Sequence, residues 1–474
     1  MKKQIVFKKS ISLVAILFLF ITNLPAQNNP VISLEGIWLG KIEIPNAAKL
    51  RMAVVVNADG TAALNIIDQA TGNIPIDEIT HNGDSVSFIL KQLGIAISGY
   101  MNTTKDSLLC MFKQRGGGFA LNMGRVDELP QLNRPQTPKA PFGYASEEIE
   151  INNQPAGIKL QGTLTLPNSS SKVPAVVLLT GSGQQNRDEE FSGHKPFWVI
   201  ADHLTRNGVA VLRMDDRGLG GSTGDFKNST TGDFATDALA AVEYLKNRTE
   251  IDASRIGLIG HSEGGSTAVV AAGNSADVKF MIALSGGMAN FGDIHIKQVG
   301  NQLRMQNVPE ENIKLEKEWR EKLNEIVREP TDSLEAAGKM WNAYRSLTPE
   351  VIKTINWPEG RMNHMVSQLL SPWWRYAISL DVKSQYIGLN CPTLLLFGEK
   401  DKQIDAAENM AVITEAVKTN HKTNISIRLI EGVNHMYQTA DTGSEYEYFQ
   451  IEETITPKVL NLLSEWILNN NPIN

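Results

Sequence analysis

Two rhythms of apolar and polar residues divide this chain. From residue 30 to 126, short apolar runs recur at close intervals and stop at turn residues. Gly36-Ile37-Trp38-Leu39-Gly40-Lys41-Ile42 opens the series. Met52-Ala53-Val54-Val55-Val56 runs into Asn57-Ala58-Asp59-Gly60, Thr61 to Ile66 follows, and Asn82-Gly83-Asp84 precedes Val86-Ser87-Phe88-Ile89-Leu90. Runs of this length between Asn, Asp and Gly clusters read as a meander of antiparallel strands, which predicts a small all-β barrel or sandwich. Residues 127–144 carry Pro130, Pro135, Pro138 and Pro141. Proline cannot join a helix interior or a central strand, so this stretch reads as an extended linker.

The second rhythm fills residues 145–474. Glu147 to Ile151 and Ile158 to Leu166 read as a first hairpin. Strand-like runs at Val176–Thr180, Val209–Asp215, Ile256–Gly260, Val278–Ser285, Thr393–Phe397 and Ile425–Ile430 then alternate with helical stretches. That alternation predicts an α/β domain, a mostly parallel sheet with helices on both faces. At about 286–390 the alternation is interrupted by an insertion with helical periodicity and no clear strand. It should sit over the sheet as a cap, with the charged stretch Glu310 to Arg328 as a solvated helix face.

The candidate chemistry lies at the strand ends. Ile256 to Gly260 leads through His261 into Gly260-His261-Ser262-Glu263-Gly264, ahead of an Ala- and Val-rich helix. Gly-x-Ser-x-Gly between a strand and a helix is a turn tight enough to lift Ser262 out of the sheet. The helix N-terminus behind it offers unpaired N–H groups to an oxyanion. Downstream, Gly398-Glu399-Lys400-Asp401 and Glu431-Gly432-Val433-Asn434-His435 each follow a strand-like run, where open α/β sheets gather their sites. A serine hydroxyl needs a base, and an imidazole needs a carboxylate to fix its tautomer. Ser262, His435 and Asp401 therefore form the candidate triad, with Asp405 as the alternative acid. Thr180-Gly181-Ser182-Gly183 follows the upstream strand and can supply one oxyanion donor, the N–H of Ser182 with Gly183 as alternative. The second donor is the N–H of Glu263. In Asn186-Arg187-Asp188 the arginine is expected to pin its loop through an ion pair.

The ordered set of these pieces, with Asp215-Asp216-Arg217-Gly218-Leu219-Gly220-Gly221-Ser222 and Ser371-Pro372-Trp373-Trp374-Arg375-Tyr376, resembles the α/β-hydrolase superfamily over roughly residues 145 to 470. It is similar in particular to a bacterial carboxylesterase group related to prolyl-oligopeptidase-like and dienelactone-hydrolase-like enzymes. The resemblance implies hydrolysis of esters of small acyl groups, with no metal and no organic cofactor. Of the cap aromatics Trp341, Tyr344, Trp373, Trp374 and Tyr376, most should pack the cap. Trp373 and Trp374 are the candidates for lining the substrate pocket.

Composition adds boundaries. Of 474 residues, 42% are apolar and 20% charged, ordinary for a soluble globular protein. Lys2, Lys3, Lys8 and Lys9, the apolar stretch Ile11 to Leu24 and Leu24-Pro25-Ala26 read as a secretory signal cut after Ala26. This implies a periplasmic or extracellular bacterial protein with no membrane attachment after cleavage. Losing those lysines takes the formal charge from −7 to −11, which gives no electrostatic reason to bind nucleic acid. Cys110 and Cys391 are the only cysteines and the eight histidines are scattered. The thiols read as small buried hydrophobes, an interdomain disulfide being the alternative, and no zinc site is expected.

The leading function is thus a secreted serine carboxylesterase acting on a small-molecule ester. One rival is a serine peptidase of the prolyl-oligopeptidase type, whose usual propeller would not fit in about a hundred residues. Another is a binding protein with an inert hydrolase domain. The all-β domain reads either as a ligand cup or as a structural or docking module plugged by Trp38. Every candidate catalytic group lies after the linker, so the domain is expected to be dispensable for turnover.

Overall fold

A computed structural model describes residues 34–44, 48–114 and 117–469. The expected signal, residues 1–26, lies outside them. The N-terminal part is one antiparallel sheet. Its described strands are β1 (Gly36–Ile44), β2 (Ala48–Val56), β3 (Ala62–Ile66), β4 (Thr71–Pro75), β5 (Glu78–Asn82), β6 (Ser85–Leu90), β7 (Ile95–Met101), β8 (Ser107–Gln114) and β9 (Gly117–Val126). The order is β4-β3-β2-β1-β9-β8-β7-β6-β5. The first and last strands pair, and β4 and β5 remain as edges, so the expected barrel is a half-barrel. Period-2 alternation sends Val86, Phe88 and Leu90 of β6 and Leu108, Cys110 and Phe112 of β8 into one core. Trp38 is fully buried in it. Its indole N–H donates to Leu34 O at 2.8 Å, and the Arg125 guanidinium lies 4.4 Å from its ring centre. Trp38 thus fills the core, as the structural reading of this domain requires.

The linker is docked rather than free. Arg134 donates to the carbonyls of Ser192, Phe449 and Ile451. Gln136 accepts from Thr454 N–H and donates to Ile455 O.

The second sheet holds β10 (Ala145–Asn153), β11 (Ile158–Leu166), β12 (Val173–Leu179), β13 (Ala210–Met214), β14 (Ile251–His261), β15 (Phe280–Leu284), β16 (Thr393–Gly398) and β17 (Ile425–Ile430). The order is β10-β11-β13-β12-β14-β15-β16-β17. The hairpin β10–β11 is antiparallel and β13 to β17 run parallel. The unbroken apolar runs are explained by burial on both faces. Along β12, Ala175, Val177 and Leu179 enter one core while Val176 and Leu178 enter the other. The helices are α1 (Pro196–Arg206), α2 (Thr231–Lys246), α3 (Glu263–Asn274), α4 (Phe291–Met305), α5 (Glu310–Arg328), α6 (Ser333–Arg345), α7 (Pro349–Thr354), α8 (Glu359–Leu369), α9 (Pro372–Ser379), α10 (Val382–Gly388), α11 (Ala406–Thr419) and α12 (Pro457–Asn469). α2, α3 and α11 cover the first core, α1 and α12 the second. This is the α/β-hydrolase fold, and strand order reverses at β12, between β13 and β14.

α4 to α10 interrupt the sheet between β15 and β16. Much of this insertion has a core of its own, built from Trp319, Leu323, Met340, Tyr344, Trp357 and Trp374. The stretch Glu310 to Arg328 is not simply a solvated face. Glu316 and Arg320 are buried, Glu316 pairs with Arg320 and Arg361 at 2.9 Å each, and it accepts the Trp357 indole N–H at 2.5 Å. A one-turn spacing places Glu316 and Arg320 together on the inner side of α5. Trp374, a candidate for the substrate pocket, is 1% exposed inside the cap core. Neighbouring residues on a helix diverge by about 100°, so Trp373 and Trp374 cannot both face the sheet.

Candidate active site

The Gly-x-Ser-x-Gly turn is built by its glycines. Ser262 holds φ +52° and ψ −117°, a backbone state that costs a side-chain-bearing residue about 1–3 kcal/mol. The close approach that forces it leaves no room beside it. A Cβ on Gly260 would lie 2.0 Å from Gly264 O, and one on Gly264 would lie 2.1 Å from Leu179 O. The Ser262 N–H donates to Leu284 O at 2.8 Å, which ties the turn to β15. Ser262 stands at the N-cap position of α3 with no side-chain bond to the helix.

The chain brings Asp401 and His435 together from the ends of β16 and β17. His435 Nδ1 donates to Asp401 Oδ2 at 2.7 Å. Asp401 Oδ1 accepts the N–H groups of Gln403 and Ile404 at 2.8 Å each. Burial alone would raise the Asp401 carboxyl, but the His435 ring, the Ile404 N–H and the Ser285 hydroxyl outweigh it and hold it below the ordinary range. Asp405 is elsewhere: it caps α11, accepting the Glu408 N–H at 2.8 Å.

Ser262 and His435 open onto one cavity of about 460 Å³, lined also by Gly181, Ser182, Glu263, Phe291, Ile294 and Trp373. Gly183, the alternative oxyanion donor, has φ +91° and does not line the cavity. The loop after β12 is pinned from several sides. Arg187 pairs with Asp215 at 2.7 Å and Glu148 at 2.5 Å. Arg213 pairs with Asp188. Asp216 accepts the Gln185 N–H at 2.7 Å and the Thr180 hydroxyl at 2.9 Å. Burial pushes the Asp216 carboxyl up to about 7, reinforced by the nearby charges of Glu189 and Glu263 and opposed by its two donors.

Two buried carboxylates escaped the sequence reading. Glu189 Oε1 accepts the Gly181 N–H at 2.8 Å and meets His261 Nδ1 at 2.9 Å. His261 Nε2–H donates to the His435 carbonyl at 3.0 Å. This second carboxylate–imidazole pair therefore joins the loop after β12, the end of β14 and the loop of His435. Burial would lower the His261 pKa, but Glu189 outweighs it and the ring is raised. Glu263 matters by its side chain as well as its N–H. Its Oε1 accepts the Trp373 indole N–H at 2.6 Å and the Thr231 hydroxyl at 2.9 Å, linking the cap to α2. Burial raises its carboxyl despite these bonds and one from Ser182. Only the position of Glu189 beside Asn186-Arg187-Asp188 hinted at a role for it. Nothing local marks Glu445 and Tyr448, which line the cavity from a distant loop.

Cys110 and Cys391 are both free thiols. Burial pushes Cys110 up to about 11. No helix among the described residues is long and apolar enough to cross a membrane.

Known proteins place this chain. Esterase EstD of Thermotoga maritima is 23% identical over 329 residues, 69% of this chain and 68% of its own. An uncharacterized protein of Mycobacterium tuberculosis is 32% identical over 126 residues, 26% of this chain and 40% of its own. Among solved structures, ferulic acid-bound Est1E of Butyrivibrio proteoclasticus has 20% identity and a TM-score of 0.40, over 68% of this chain and 98% of its own. The hydrolase family described as serine aminopeptidase, S33, matches residues 196–439, from the start of α1 past His435. That match takes in just over half of the chain, and the protein belongs to this family of α/β-hydrolases.

Proposed function

We propose that the protein is an exported serine carboxylesterase that cleaves esters of small acyl groups through an acyl-enzyme on Ser262. The observation that carries this reading is that His435, paired with the buried Asp401, opens onto the same cavity as a serine held at φ +52°. Asp401 fixes the Nδ1–H tautomer, so the other ring nitrogen of His435 is the base. It takes the Ser262 proton as Oγ bonds to the ester carbon. The oxyanion is held by the N–H groups of Glu263 and Ser182, since Glu189 already occupies that of Gly181. His435 then gives its proton to the departing alkoxide. Water repeats the sequence on the acyl-enzyme, releasing the acid and restoring Ser262.

The family description favours a second reading, an aminopeptidase. That activity needs a carboxylate available to the substrate ammonium group. Glu189 is committed to Gly181 and His261, and Glu263 to Trp373 and Thr231, which leaves Glu445 at the cavity as the carboxylate an aminopeptidase would use. The relative EstD, named an esterase, supports the ester reading. The test is labelling with a fluorophosphonate, alongside turnover of p-nitrophenyl esters and of amino-acid and dipeptide amides. Labelling lost in Ser262→Ala, with esters cleaved far faster than amides, is the expected result. Faster amide release would move the peptidase first. An unlabelled wild-type protein would leave the binding-protein reading. Export is part of the proposal, and a mature N-terminus at Gln27 in secreted material would support it.

A further inference from the structure

We propose that the all-β domain supports one wall of the catalytic cavity and so sets the length of the group the cavity accepts. The reading rests on the esterase proposal for what enters the cavity. It comes from one short turn with two faces. Around Glu445–Glu447 the chain winds with i to i+3 hydrogen bonds, Glu447 N–H to Ser444 O at 2.9 Å, Tyr448 N–H to Glu445 O at 3.3 Å and Gln450 N–H to Glu447 O at 2.9 Å. In such a winding, residues three apart lie above one another. Glu445 and Tyr448 form one face, Tyr446 and Phe449 the next. The first pair lines the cavity with Ser262 and His435. The second pair belongs to the other domain: Phe449 is buried in the half-barrel core that holds Trp38 and Phe88, and Tyr446 packs against that core.

The turn is thus a wedge between the domains, and its contacts continue on both sides. The Tyr448 ring meets Phe191, another cavity residue, edge-on at 6.4 Å. Gln403, whose N–H holds Asp401, donates from its side chain to the Tyr448 hydroxyl at 3.4 Å. From the half-barrel side, the linker residue Arg134 grips the Phe449 and Ile451 carbonyls at 2.8 and 3.2 Å. An apolar cavity rewards each added carbon only until its wall is reached. If the wall leans on Phe449, weakening that support lengthens the cavity without touching Ser262, His435 or Asp401. This changes the expectation that the half-barrel is dispensable: it would be dispensable for the chemistry but not for selectivity.

The test uses the full chain and reads a ratio, kcat/KM for p-nitrophenyl octanoate over that for the acetate, which is insensitive to the active fraction. Tyr448→Ala shortens the wall itself. Phe449→Ala removes its support, and Phe449→Leu restores most of the bulk. The ratio is expected to rise about tenfold in the two alanine variants and to stay near wild type in Phe449→Leu. If Phe449→Ala does not fold, Arg134→Gln weakens the same support from the linker and should raise the ratio. A ratio that rises in Tyr448→Ala but not in Phe449→Ala or Arg134→Gln overturns the proposal, as does one unchanged in all. Rates of Ser262 labelling by ethyl and octyl fluorophosphonates give the same comparison without ester turnover. A protein that cleaves amides would then fail the functional reading while still reporting on the wall.

Discussion

Asp401→Asn should stop turnover while leaving the fold in place. Oδ1 of the carboxylate takes the Gln403 and Ile404 N–H groups at 2.8 Å, and Oδ2 takes His435 Nδ1–H at 2.7 Å. An asparagine has one oxygen and one NH2. If the oxygen turned to His435, the NH2 would face two backbone donors, and each buried donor left unsatisfied costs about 1–3 kcal/mol. The oxygen therefore stays with the backbone and the NH2 faces Nδ1. Nδ1 must then accept, the ring proton moves to the other nitrogen, and that nitrogen can no longer take the serine proton. In a serine protease this tautomer exchange lowers kcat about 10⁴-fold. At 1.36 kcal/mol per decade the same loss here raises the barrier by about 5 kcal/mol. Because the loop keeps its two backbone bonds, the melting temperature should fall only a few degrees. Asp405→Asn is the control, since Asn caps a helix as well as Asp. The assay is kcat for p-nitrophenyl butyrate near neutral pH, with thermal melting of each variant. More than a tenth of wild-type kcat in Asp401→Asn, or a larger loss in Asp405→Asn, would refute the reasoning.

Ser262→Ala should abolish both hydrolysis and fluorophosphonate labelling with little change in melting temperature, and residual activity above a tenth would name another nucleophile. Glu189→Gln should lower kcat more than it raises KM, because the two loops it orders, that of Ser182 through Gly181 and that of His435 through His261, act in the transition state. His261→Asn in that background should add little, and fully additive losses would show that the two do not work as a pair. Asp216 binds its proton up to about pH 7 when folded and only to an ordinary carboxylate pH when unfolded. Its contribution to stability is therefore complete below pH ~4 and is lost as pH rises through about 7, by up to about 4 kcal/mol. Asp216→Asn should lose less of its melting temperature between pH 5 and 8 than wild type, and parallel curves would reject this. Gly264→Ala should give no soluble folded protein, since the added Cβ meets Leu179 O at 2.1 Å. A folded, active variant would show that the turn can open.

Much of this protein was legible locally. Apolar runs buried on both faces announce parallel strands wherever they occur, because a strand covered on two sides has no polar face to show. A serine between glycines after such a run has few other conformations open to it. Asp401 and His435 were readable because the ends of parallel strands converge at one edge of a sheet. The half-barrel was readable from its turns, though not its open edges, since pairing of β1 with β9 is a contact between the two ends of the domain. What tertiary structure alone decided are side chains whose roles depend on remote neighbours. Glu189 becomes the partner of His261 only because strand order reverses at β12. Trp373 and Trp374 are adjacent and alike in the sequence, and only the seating of α9 sends the first to the cavity and the second into the cap. Glu445-Tyr446-Glu447-Tyr448-Phe449 looks like an ordinary polar loop with aromatics, because its two faces have meaning only once a half-barrel some three hundred residues upstream is packed against one of them.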